Sequence, residues 1–235
     1  MRHIPSQSHP LHDELITARK KGVSWNDFST SPQGDALRQA KAIEQNGLCA
    51  YCECKLTGDD GDLPKGITHI DHFHRRNDHP EQTFNWDNLF LSCKKDSHCG
   101  LYKDYKRMHT EDIIHPRSEQ PQEYITFVSD SSFGVYARPL PKNNRARAEY
   151  TIKAFNLNAP ELVAQRYQSL IENRIQIDNL TEEIECAIEY ELWEEQAELI
   201  SKAIKLLQDF STLPYASTIM AYAKERWTDY MDISQ

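Results

Sequence analysis

The sequence predicts an α+β protein: a small metal-stapled core of strand, loop, strand and helix, then a β-hairpin, then a C-terminal α-helical bundle. Three observations carry this expectation. Five of the six cysteines and five of the ten histidines fall between Cys49 and Lys103. Two β-prone runs flank a Ser-Asp-Ser-Ser turn around residue 130. From Asn143 to Trp227, apolar residues recur at helical spacing.

The elements follow in order, in four expected regions. Residues 1–34 are rich in Ser, His and Pro and read as an N-terminal arm, mostly irregular, with a short helix at 11–21. The core is expected over 35–115. It opens with a helix over 35–46, where Asp35 suits the N-terminus and Gly47 the C-terminal cap. Residues 55–66 read as a surface loop and 67–71 as a strand. A loop over 84–92 enters a second strand, and a helix follows over 99–108, with Leu101, Tyr105 and Met108 on one face. A β-hairpin and connector is expected over 116–142, with strands at 124–128 and 134–137. The C-terminal helical domain, 143–235, divides into helices ending near 156–158, starting at Pro160, starting near Thr181, and spanning 215–228. Its apolar stripes include Leu162, Leu170, Ile175, Ile184, Ile188, Leu192, Leu199, Ile204 and Leu207.

At 235 residues the chain is long enough to bury a sizeable core, and its mean hydropathy of −0.72 is that of a soluble protein. No stretch approaches the ~18 apolar residues of a membrane span. The start, MRHIPSQSHPLHDEL, lacks the apolar run of a secretory signal, so a cytoplasmic location is expected and clustered cysteines read as metal ligands rather than disulfides. The net charge of −9 is unusual for a lone nucleic-acid binder. It is unevenly spread, with twelve Asp/Glu against four Lys/Arg between Glu161 and Asp209. Basic residues gather elsewhere, at Arg75-Arg76, Lys94-Lys95, Lys103, Lys106, Arg107, Lys142, Arg145, Arg147 and Lys153.

The chemistry sits in the core. Cys49-x2-Cys52 presents two sulfurs on one tight turn, and Cys93-x5-Cys99 can complete a tetrahedral thiolate site for a structural zinc ion. Cys54 and Cys186 fall outside that pattern. Phosphodiester cleavage needs an activated water, neutralised charge on the phosphate and a stabilised leaving oxygen. Asp71 and His72 supply a carboxylate and an imidazole side by side, for a divalent ion and for a general base. Along a regular strand they point to opposite faces, so they can flank one phosphate only where the strand ends or bulges. Asn88, in the loop before the return strand, can fix that loop's backbone and so aim His72.

These motifs, CAYCE at 49–53, HIDHF at 69–73, NWDNLFLSC at 85–93 and CGLYKD at 99–104, resemble the ββα-metal (HNH) endonucleases, and more closely those of the PtuB type. The hairpin and the tail from RARAEYTIKAFNLN also resemble that type, so the likeness spans roughly 35–230, with specific motifs only in 49–104. The resemblance implies His72 as general base, Asp71 as ligand of a catalytic Mg²⁺ or Mn²⁺, and Asn88 as the orienting residue. It implies Cys49, Cys52, Cys93 and Cys99 as zinc ligands, and Lys103 near the phosphate. Of the neighbouring residues, His74 is expected either to contact the phosphate or to cap the strand, and Arg75 to contact the substrate. Where many such enzymes place a second metal ligand, this chain has Gly100; His98, His69 and Asp104 are the candidates, with His98 preferred. The resemblance further implies anti-phage defence in a Septu or retron system, with a nucleic-acid substrate, DNA or structured RNA such as tRNA. Its partners would be an ABC-like ATPase of the PtuA type, docked on the acidic helices, and a retron reverse transcriptase with its RNA–DNA hybrid. The competing expectation, to which Gly100 lends weight, is a catalytically inactive zinc module that binds nucleic acid or a partner.

Overall fold

The computed structural model describes residues 1–58, 60–64, 66–141 and 144–230, so Lys142 of the basic set lies outside the described residues. The chain forms two compact units. The first comprises Met1–Ile125 with Pro139–Ala159, and the second Thr126–Arg138 with Pro160–Gln235. These divisions fall differently from the four regions expected: the arm and the helix of residues 145–154 both join the first unit.

Residues expected to form an irregular arm instead contribute helices to a core. Helix α1 (Leu11–Lys20) turns Leu11, Leu15 and Ala18 inward, with Asp13 and Glu14 in its first turn and Arg19 and Lys20 in its last, as the helix dipole favours. Helix α2 (Trp25–Ser29) starts at Ser24, whose hydroxyl accepts from the Asp27 amide. Helix α3 (Pro32–Glu44) starts three residues before the expected position, because Ser31 caps it and Pro32 supplies a preset φ at its first position. The buried faces of α1, α2 and α3 meet Trp86 and Leu89 in one apolar cluster. The physical reason is the i, i+4, i+7 spacing of Leu11, Leu15 and Ala18, which makes one face apolar in an otherwise polar run.

Strand β1 (Thr68–His72) pairs antiparallel with β2 (Leu89–Cys93), placing Asp71 opposite Phe90 and His72 opposite Leu89. All five residues of β2 are buried, and a 3-10 turn, Trp86–Asn88, leads into it. Helix α4 (Cys99–Tyr105) completes the ββα unit and stops short of Met108, the chain turning out through Arg107 at φ 50°. Strands β3 (Ile125–Ser129) and β4 (Val135–Pro139) form the expected two-stranded hairpin. Helix α5 (Arg145–Ala154) fastens to the 113–119 segment: Arg147 pairs with Glu119, and the Thr151 hydroxyl accepts from the Ile114 amide.

The second unit is built on α6 (Pro160–Glu189), α7 (Trp193–Phe210) and α8 (Ala216–Trp227). The helix start expected near Thr181 is absent. Thr181 continues α6, its hydroxyl bonding back to Ile177 O at 2.7 Å while accepting from the Trp227 indole at 2.8 Å. The break comes at 190–192, where Glu191 adopts φ 55° without a glycine or proline to announce it. The interior is Ile177, Leu180, Ile184, Ala187, Leu199, Ala203, Leu207, Ile219 and Trp227. Ile175, Ile188, Leu192 and Ile204, expected on the buried stripe, are exposed. No helix among the described residues is long and apolar enough to cross a membrane.

Candidate metal and catalytic centre

The turn from Cys49 to Cys54 is closed by the Cys49 amide donating to Cys54 O and the Glu53 amide to Cys49 O, with Glu53 itself at φ 66°. Cys93 arrives at the end of β2 and Cys99 at the start of α4, so two short elements aim their thiols at the turn. Cys49 Sγ lies 3.8 Å from Cys99 Sγ, and Cys52 Sγ 3.9 Å from Cys93 Sγ. Four sulfurs at ~2.3 Å from a tetrahedral zinc ion stand about 3.8 Å apart. The cluster can therefore hold a metal ion such as zinc. Burial opposes the thiolate, yet hydrogen bonds from Cys54, Cys93 and Cys99 hold Cys49 and Cys52 well below the ordinary cysteine range.

Two further donors join these four. Cys54, expected outside the pattern, groups with Cys49, Cys52 and Cys93. His98, expected at the catalytic ion, groups with Cys52, Cys93 and Cys99, its Nδ1 lying 3.0 Å from Cys99 Sγ. It precedes Cys99 in the loop that enters the cluster, so its ring is delivered to the thiols; among the described residues no metal-capable group joins it to Asp71.

The second centre lies along β1. Asp71 is fully buried, its Oδ2 accepting from the Tyr51 hydroxyl and facing Lys103 Nζ at 3.5 Å. Burial alone would raise its pKa, but the Lys103 ammonium and His69 hold it at about 2. Its other oxygen, Oδ1, is buried with no hydrogen-bond partner, and so are both ring nitrogens of His69, whose Nε2 lies 3.8 Å from it. One carboxylate oxygen and an imidazole, without hydrogen-bond partners and turned to each other, are donors suited to a divalent ion. Their common face follows from strand alternation, since His69 and Asp71 are two residues apart. Gly100 is explained by the same geometry. A Cβ there would stand 2.5 Å from Asp71 Oδ1, so the carboxylate occupies the space a side chain would need.

His72 is the last residue of β1, one beyond the expected strand end, and it still pairs in register with Leu89. Its Nε2 lies 3.0 Å from Thr83 O; a carbonyl only accepts, so Nε2 carries the proton and Nδ1 keeps its lone pair. The Trp25 indole and the His72 ring pack nearly at right angles, with centroids 4.4 Å apart. Burial, partly offset by Asp71, lowers its pKa to about 4, so the imidazole is neutral at neutral pH. Asn88 clamps the strand end to the loop. Its Oδ1 accepts from the His74 amide at 2.7 Å, and its Nδ2 donates to His74 O and to Gln82 O at 3.0 and 3.1 Å. Gln82 precedes Thr83, so the clamp holds the peptide adjoining the carbonyl that orients His72.

The expected phosphate contacts fare unequally. Lys103 is fully buried, donating to His72 O, Phe73 O and Asp104 Oδ1. A buried ammonium with that many partners braces the end of β1, and it is withdrawn from any substrate. His74 is turned to Thr110 and His79. Arg75 does line an open groove of about 400 Å³, together with Arg76, Asn77, Asp78, Asp104 and Arg107. Sequence reasoning missed Tyr51, Thr83 and Trp25. Tyr51 carried a weak signal, lying inside the Cys-x2-Cys turn; Thr83 acts through its backbone and Trp25 through long-range packing, so neither had one.

No protein-family model matches the chain. It is 32% identical over 80 residues to Septu protein PtuB of Bacillus thuringiensis, a stretch covering 34% of this chain and 28% of the relative. The chain thus matches less than a third of that protein's length. The likeness is distant and associates the chain with a Septu protein.

Proposed function

We propose that the chain is a metal-dependent endonuclease of the ββα-metal (HNH) type that hydrolyses phosphodiester bonds in nucleic acid. The observation that carries this reading is a neutral, tautomer-fixed His72 next in sequence to Asp71, whose Oδ1 lies unpartnered 3.8 Å from the likewise unpartnered His69 Nε2. Asp71 and His69 would hold the divalent ion, Mg²⁺ or Mn²⁺, and Asp104 lies one helical position from Lys103 to balance the same charge. That ion supplies charge neutralisation on the phosphate and on the leaving oxygen. His72 Nδ1 accepts a proton from the attacking water, and Thr83 O steadies the imidazolium that results. Asn88 holds the Thr83 loop at its distance from β1 throughout. Arg75, Arg76 and Arg107 draw the phosphate backbone into the groove. The thiol cluster, with zinc, keeps β2 and α4 in register behind Asp71.

On the motif resemblance, and with a relative named as a Septu protein, we extend the proposal to anti-phage defence, with an ATPase partner of the PtuA type docked on the acidic helical unit. Gly100, which lent weight to an inactive module, instead fits the Asp71 carboxylate against α4. Plasmid DNA and total tRNA incubated with the purified chain, with and without Mg²⁺ or Mn²⁺ and with the ATPase partner, test the reading. Cleavage is expected to require the ion, and to fall about 10²–10⁴-fold in His72→Ala with the fold retained. Cleavage unchanged in His72→Ala would sink it.

A further inference from the structure

β1 leaves the sheet through Phe73 and His74, and a tight turn brings the chain back at once. The amides of Asp78 and His79 both donate to Arg75 O, at 3.1 and 2.9 Å, which returns His79 to the side of His74 with ring centroids 5.0 Å apart. From a distant part of the chain, the 3-10 turn Thr110–Asp112 delivers Glu111 to the same place. One ring nitrogen of each histidine and a Glu111 carboxylate oxygen then lie within 4.8 Å of one another.

We propose that His74, His79 and Glu111 bind a divalent transition-metal ion of the zinc, cobalt or nickel class, at a site separate from the thiol cluster and from Asp71. Two imidazoles and a carboxylate are the donor set such ions take, with a fourth position left for water or a phosphate oxygen. His79 Nε2 and Glu111 Oε1 stand 3.2 Å apart, close to the ~3.4 Å edge of a tetrahedron with ~2.1 Å ligand bonds. The outer contacts have the pattern of a held ligand set. His74 Nδ1 is hydrogen-bonded to the buried Thr110 hydroxyl at 2.8 Å, and Glu81 Oε1 lies 3.6 Å from His79 Nδ1, each fixing a ring orientation. The His74 backbone is clamped on both sides by Asn88. An ion there ties the 75–79 turn, which carries Arg75 and Arg76, to the 110–112 segment. It thereby stiffens one wall of the arginine groove.

The site is read by metal counting on the full-length chain, so the answer does not depend on nuclease activity. Zinc-loaded protein is titrated with Co²⁺, following bound metal by native mass spectrometry and the visible d–d absorption. Wild type should take up one more equivalent than Glu111→Gln or His79→Ala, in an absorption lacking the thiolate-to-cobalt charge-transfer band. Thr110→Val should weaken that equivalent by about 10-fold or more. Glu111 is mostly exposed, so Glu111→Gln keeps the test decisive where His79→Ala fails to fold. Equal cobalt uptake and identical spectra in wild type and Glu111→Gln would overturn the site and leave a histidine–carboxylate ion pair only.

Discussion

The two compact units are stabilised by different physics. Among the described residues, sixteen polar or charged side chains are buried; thirteen belong to the first unit and three, Arg166, Thr181 and Thr218, to the second. The second unit is a three-helix arrangement closed by aliphatic residues and Trp227. The first is held by thiols, by the Asp71–Lys103–Asp104 set, and by a buried cluster in which Lys41 donates to Glu44 and to Trp86 O while Arg117 grips Glu44 with two nitrogens. Burying charge is costly unless each group is paired, so the first unit tolerates little rearrangement. A candidate catalytic strand gains from that intolerance: its groups are fixed before any substrate arrives.

The largest effect separating the units should come from metal removal. Chelation under reducing conditions, or Cys93→Ser, is expected to abolish the cooperative unfolding of the first unit and leave the helical signal of the second in circular dichroism. Cys186→Ser, at an exposed cysteine outside the cluster, should change nothing. Loss of both signals together would show that the units are not energetically distinct.

Next in size are two substitutions that attack each unit by its own means. Glu44→Gln leaves Lys41 and Arg117 buried without their shared carboxylate and should cost about 3–5 kcal/mol in urea unfolding. Trp227→Ala should cost a similar ~3–5 kcal/mol, through a cavity and the lost bond to Thr181. A mild Glu44→Gln would mean the charge cluster is less dry than its geometry.

The smallest expected effect is a pH slope. Burial draws the Lys41 pKa from 10.5 down to about 7, against the pull of Glu44. Between those values the unfolded chain binds the extra proton, so stability should rise with pH by up to ~1.4 kcal/mol per unit, with no Lys41 contribution below pH 7. Lys41→Met should flatten that slope, as read from urea midpoints at pH 7, 8 and 9. An unchanged slope would assign it to other groups.

The α+β class, the ββα order and the four-cysteine pattern were legible in the chain because each rests on local spacing: Cys-x2-Cys on one turn, a short strand read at 67–71 and found at 68–72, helical recurrence after 143. The sequence by itself also determined that Asp71 and His69 share a face, since strand alternation permits nothing else. What only the tertiary structure decided were the partners that arrive from afar. His98 and Cys54 join the thiols, Lys103 turns inward to brace β1, and Thr83 and Trp25 meet His72 through contacts that no local pattern encodes. The long helix α6 belongs with them, since a left-handed Glu191 rather than a glycine ends the turn after it. Periodicity fixes which way a side chain faces along its own element, whereas the identity of what it faces depends on packing between elements far apart in the chain.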